Sequence, residues 1–137
     1  MITTFKINDI LYPIINITSV KATIGEGRVY RVKKPLNSEK QDIVILPLSN
    51  YVGSEIINDS VFIINCYCKN FTDGTPDIIL LRATTKAVAD VIEIYNNKNN
   101  YYIFDITSQI LLQDTDQISM SYASLRIQCY IEKEGDE

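Results

Sequence analysis

Residues 61–68, VFIINCYC, followed after a short turn by residues 75–95, TPDIILLRATTKAVADVIEIY, decide the fold. The first stretch is apolar on both faces and rich in β-branched and aromatic side chains, as in a central strand covered on each side. The second carries Leu80, Ala83, Ala87, Val91 and Ile94 at helical spacing, with Leu81, Val88, Ile92 and Tyr95 beside them and Arg82, Lys86, Asp90 and Glu93 opposite. That period predicts a long amphipathic helix. Asp73 and Gly74 suit the reversal between the two, Thr75 is the expected N-cap, and Pro76 falls at the first helical position, where its missing N–H is harmless. The NNKNN run at 96–100 ends the helix.

Working outward, residues 101–112 and 119–131 read as two long strands around the reversal QDTDQ. Leu125, Ile127 and Cys129 share one face of the second strand, whereas Met120 and Tyr122 have the opposite parity, so a bulge near residues 123–124 is expected. Upstream, Ile7, Ile10, Leu11, Ile14, Ile15 and Ile17 predict an amphipathic helix over 6–19, kinked at Pro13 or starting close to Leu11. Gly25 and Gly27 mark a turn into RVYRVKK, and DIVILPLS at 42–49 reads as the second arm of a basic β-hairpin covering 27–49. Pro47 lacks a donor, so that strand should end or lie at an edge there. Residues 50–59 read as a loop.

The residues thus predict an α+β domain in the order α-β-β-β-α-β-β, with a long β-hairpin, over 1–131, followed by an acidic C-terminal tail at 132–137. Hydrophobic residues at 46% and charged residues at 22% of 137 suit one folded core and exclude a disordered chain. The N-terminus lacks the basic and unbroken apolar regions of a signal peptide, and no run reaches the roughly 20 apolar residues of a membrane span, so a soluble protein made in the cytoplasm is expected. Cys66, Cys68 and Cys129 are odd in number and lack C-x-x-C pairing, which predicts buried thiols and neither a disulfide framework nor a zinc site.

No nucleophile with a nearby base, no histidine and no phosphate loop is present, so catalytic, metal and cofactor sites are all expected to be none. Asp114 and Asp116 fit turn chemistry better than a cation site, and Tyr101 with Tyr102 fits cross-strand packing as well as a stacking platform. Charge is the one uneven feature. Residues 21–40 hold six basic side chains against two acidic ones, a net of +4, and the whole chain is −4, so the remainder carries −8. A positive segment of this kind meets either nucleic acid or the acidic body of an identical neighbour. Tyr30 is the only aromatic in the segment, which favours the neighbour. Arg28, Arg31, Lys33, Lys34 and Lys40 are therefore the candidate subunit-interface or channel-facing residues.

The order from the N-terminal helix, through GRVYRV and DIVILPLS, VFIINCYC and IILLRATTKAVADVIEIY, to YYIFDI and SLRIQCYIE resembles the tail-terminator, tail-completion and neck (connector) ring proteins of tailed bacteriophages. The resemblance implies a mainly antiparallel sheet covered by two helices. It also implies a non-enzymatic virion subunit that forms a homo-oligomeric ring at the head-tail junction or tail end, assembled in the host cytoplasm. Its implied partners are identical subunits, adjacent portal, neck or tail proteins and passing DNA, with no membrane. The alternative is a small nucleic-acid-binding or adaptor module that uses the basic hairpin.

Overall fold

The computed structural model describes residues 4–51, 59–98 and 102–131. Five strands form one mixed sheet: β1 (Val29–Tyr30), β2 (Ile43–Tyr51), β3 (Asp59–Lys69), β4 (Tyr102–Gln113) and β5 (Met120–Ile131), in the spatial order β1-β2-β3-β5-β4. Three helices accompany them: α1 (Thr4–Ile15), α2 (Thr18–Lys21) and α3 (Ile78–Asn96). The α+β class is as expected from the sequence, and VFIINCYC lies in β3, the middle strand.

Strand periodicity positions the core. Ile43 and Ile45 of β2, Phe62, Ile64 and Cys66 of β3, Leu125, Ile127 and Cys129 of β5 and Phe104 of β4 share one face. Leu11 and Ile15 of α1 and Val88, Val91 and Ile92 of α3 close over them in a single cluster. The buried row of α3 also includes Leu81, Thr84 and Thr85, while Ala83 and Ile94 are exposed. The stripe is thus turned by about one residue from the apolar reading. Threonines hide in such a reading, and the Thr85 hydroxyl is satisfied by donating to the Leu81 carbonyl at 2.8 Å.

Several local expectations are corrected. Segment 27–49 is not a hairpin, because β1 pairs with β2 in parallel, Val29 opposite Ile43 and Tyr30 opposite Val44. The twelve residues 31–42 form the crossover that a parallel pair requires. β2 and β3 are the antiparallel neighbours, with Asn50 and Tyr51 paired to Ser60 and Asp59, so only 52–58 of the expected loop lie outside the described strands. β2 runs past Pro47 with a register shift between Pro47 and Ser49, on a stretch β1 does not reach. The bulge expected near 123–124 lies instead in β4, between Ile106 and Ser108. Met120 is buried on the face opposite the helices, across from Lys69, so both parities of β5 are covered at that end and β5 needs no flip.

Helix ends differ for identifiable reasons. α1 is already helical at Thr4, the first described residue, and passes through Pro13, whose missing donor affects only the final turn, and the helix is interrupted at 16–17 before α2. α3 is capped by Asp77, which accepts from the Leu80 N–H at 3.2 Å. Thr75 instead donates its N–H and hydroxyl to Asp73, completing the preceding turn. The tail at 132–137 and Tyr101 lie outside the described residues.

All three cysteines are buried thiols. Burial pushes the Cys66 thiol up from its ordinary value near 9 to about 12. The folded state then holds a proton that the unfolded chain releases, so Cys66 withdraws stability as pH rises from about 9 toward 12. Native Cys66 should resist iodoacetamide at pH 8 and react within minutes in urea; equal rates in the two states would contradict its burial.

Candidate subunit interface

The basic segment is built on one close approach and one carboxylate. A Cβ at Gly27 would overlap the carbonyl of Gln41, so only glycine lets the chain enter β1 beside the segment that leads into β2. Asp42, fully buried, accepts from the Arg28 N–H at 3.0 Å and the Ser38 hydroxyl at 2.7 Å, tying both ends of the crossover together. Asn37, at φ 62, sits in the turn between them.

From this base the crossover folds back across the sheet face that no helix covers. Lys34 lies 4.9 Å from the Tyr67 ring centre and donates to the Ser38 carbonyl at 3.2 Å and to Gln117 at 3.4 Å. Glu39 pairs with Lys69 at 2.9 Å and accepts from Ser119, and these bonds hold its carboxyl below the usual range. Arg31 turns toward α1, stacking 4.6 Å over Tyr12 and pairing with Asp9 at 3.1 Å, while Asn8 donates to the Arg31 carbonyl. Exposed pairs of this kind contribute little stability each. Their effect is to orient the loop.

The five candidate residues therefore separate into two groups. Arg31 and Lys34 are engaged within the chain, whereas the exposed side chains of Arg28, Lys33 and Lys40 have no ion pair among the described residues. Leu36, 80% exposed, projects from the same loop. Exposed Asp105 lies on β4, at the other edge of the sheet, and Glu93 lies one helical turn before Asn96, whose amide grips the β4 backbone.

Asp114 and Asp116 form a turn, with the Asp116 N–H donating to Asp114. Both line a shallow hollow with Lys33, Lys34 and Tyr67. Burial first, and then the Asp114 carboxylate, raise the Tyr67 hydroxyl above its ordinary pKa. Tyr67 and Tyr122 pack together on the sheet, their ring centres 4.9 Å apart and their planes tilted by 34°. Among the described residues no group of three or more His, Cys, Asp or Glu is arranged to hold a metal. Sequence reading overlooked Asp42, whose only signal is its position just before the apolar run IVIL. It also overlooked Ile110, Leu111 and Leu112, a run of three apolar residues in a strand that should alternate.

The fold has a counterpart among solved structures. The fold is similar to that of a virion chain. That chain belongs to the structure described as "Virion of native gene transfer agent (GTA) particle", with 13% sequence identity, a TM-score of 0.56, and 90% of this chain and 92% of that chain covered. No protein-family model and no curated protein matches the sequence.

Proposed function

We propose that this protein is a structural, non-catalytic virion subunit of a tailed phage. In this reading it forms a ring at the head-tail junction or tail end, as a tail terminator or neck component. The observation that carries the reading is the fold shared along nearly the full length with a chain of a gene transfer agent virion. The charge layout supports the ring: a head-to-tail contact needs two different complementary surfaces, and the basic crossover would supply one against the net acidic remainder of a neighbouring copy. Arg28, Lys33 and Lys40 meet the neighbour's acidic surface, and Arg31 and Lys34 hold the loop in shape. Adjacent portal, neck or tail proteins would cover the two ends of the ring, and DNA would pass through its lumen.

Reversing Arg28, Lys33 and Lys40 to glutamate is expected to abolish rings while leaving the circular dichroism spectrum unchanged. Light scattering at low and high salt, with and without tail or neck proteins, measures this; intact rings from the folded triple variant would refute the role of the loop. The three unpaired cations also suit a nucleic-acid adaptor. That reading requires DNA or RNA affinity that falls steeply with salt and is lost in the same variant.

A further inference from the structure

Among the described residues β4 is an edge strand protected along only half its length. At its start, Asn96 occupies the edge like a short strand, accepting from the Phe104 N–H at 3.0 Å and donating to the Phe104 carbonyl at 2.7 Å. A bulge at Thr107 follows. Beyond it, Ser108–Gln113 carries no proline and no charge, the devices by which edge strands avoid other chains. Ile110, Leu111 and Leu112 are instead 55%, 45% and 38% exposed, on both faces of the strand. A groove between α3 and β4, lined by Ile78, Leu81, Thr85 and Leu111, runs beside the strand, with Arg82 its sole charged lining residue.

The sequence of this half identifies what covers it. Residues 109–113 read QILLQ, symmetric in character about Leu111. We propose that in the free protein this half of β4 pairs antiparallel with the same strand of a second copy, about a two-fold axis at Leu111. Gln109 then faces Gln113 of the second copy, Ile110 faces Leu112, and Leu111 faces itself. Residues opposite one another in antiparallel strands share a face, so the glutamines and Leu111 stay on the helix side and Ile110 with Leu112 on the other. No like charges meet across the axis, and the two sheets join into one of ten strands. A charged partner strand would gain nothing from this edge, whereas an identical one matches it at every position.

The pairing itself is independent of the ring reading, and its role in assembly rests on that reading. Where the head-to-tail contact uses the β4 side, the two-fold pairing competes with it, and the dimer is a storage form that opens when rings assemble.

Light scattering of the purified protein is expected to give twice the chain mass. Leu111→Lys, and separately Ile110→Lys at a more exposed position, should halve that mass with the circular dichroism spectrum unchanged. Leu111→Cys should give a disulfide-linked dimer on mild oxidation, and Thr107→Cys should not. A monomeric parent protein, or a dimer that persists in both lysine variants, would overturn the proposal. Loss of the dimer only in the Arg28, Lys33 and Lys40 reversal would also overturn it, by placing the contact at the basic loop and leaving the ring reading standing.

Discussion

Phe62→Ala is expected to lower the unfolding free energy by about 3–5 kcal/mol, the usual result of emptying a fully enclosed aromatic site. Phe62 has no exposed surface. On β3 it lies between Pro47 of β2 and Ile127 of β5, under the two long helices. Its β5 neighbours are held in continuous strand pairing, and Pro47 opposite it on β2 has a rigid ring, so they have little freedom to collapse into the space. Urea denaturation followed by circular dichroism would show a lower midpoint with an unchanged slope. Ile79→Ala is the control, because that side chain is 75% exposed and should change stability by no more than about 0.5 kcal/mol. A Phe62→Ala loss below about 1 kcal/mol would mean that the sheet is not packed as described.

The sequence reading located Phe62 because a central strand is a continuous apolar run, a signal that needs no knowledge of the partner strands, although Val61, Ile63 and Tyr67 on the face away from the helices are only half-buried. The same holds for Leu125, Ile127 and Cys129, whose alternation places them on one face wherever β5 sits in the sheet. What the reading missed depends on contacts between distant residues. The crossover 31–42 looks like the middle of a hairpin, since adjacent strands with a polar link are antiparallel by default. Its parallel outcome depends on Gly27 reaching the Gln41 backbone and on Asp42 accepting from Arg28 and Ser38, which no periodicity reports. The bulge was misplaced for a related reason. Met120 is buried because Lys69 and Ser119, beside it, are bonded to Glu39 of the crossover, and a single strand's pattern does not show which loop will cover it. The candidate interface was legible as a charge imbalance. Its division into orienting residues, Arg31 and Lys34, and projecting ones, Arg28, Lys33 and Lys40, was not, because that division depends on Asp9, Tyr12, Tyr67 and Gln117.

Gly27→Ala should cost about 3 kcal/mol, the upper end of what overpacking usually costs. The added methyl would meet the carbonyl carbon and oxygen of Gln41, backbone atoms that have no rotamer to change. Relief requires the chain to separate at the point where β1 enters beside the crossover, which weakens the bond from the Arg28 N–H to Asp42. Gly25→Ala tests a different requirement two residues away. Its φ of 54 disfavours a side chain, but the space around it is open, so a loss of about 1 kcal/mol is expected. Urea midpoints should rank wild type, Gly25→Ala and Gly27→Ala in that order, and equal losses would show that conformation alone governs both glycines. Trypsin provides the second readout, since Lys33 and Lys40 are exposed on the loop and Arg28 directly follows Gly27. Faster cleavage at these sites in Gly27→Ala under native conditions would show that the loop, and not only the global fold, has loosened. If the loop is the ring contact, that variant should lose assembly at temperatures where its sheet is still intact, whereas Phe62→Ala should lose assembly only as it unfolds.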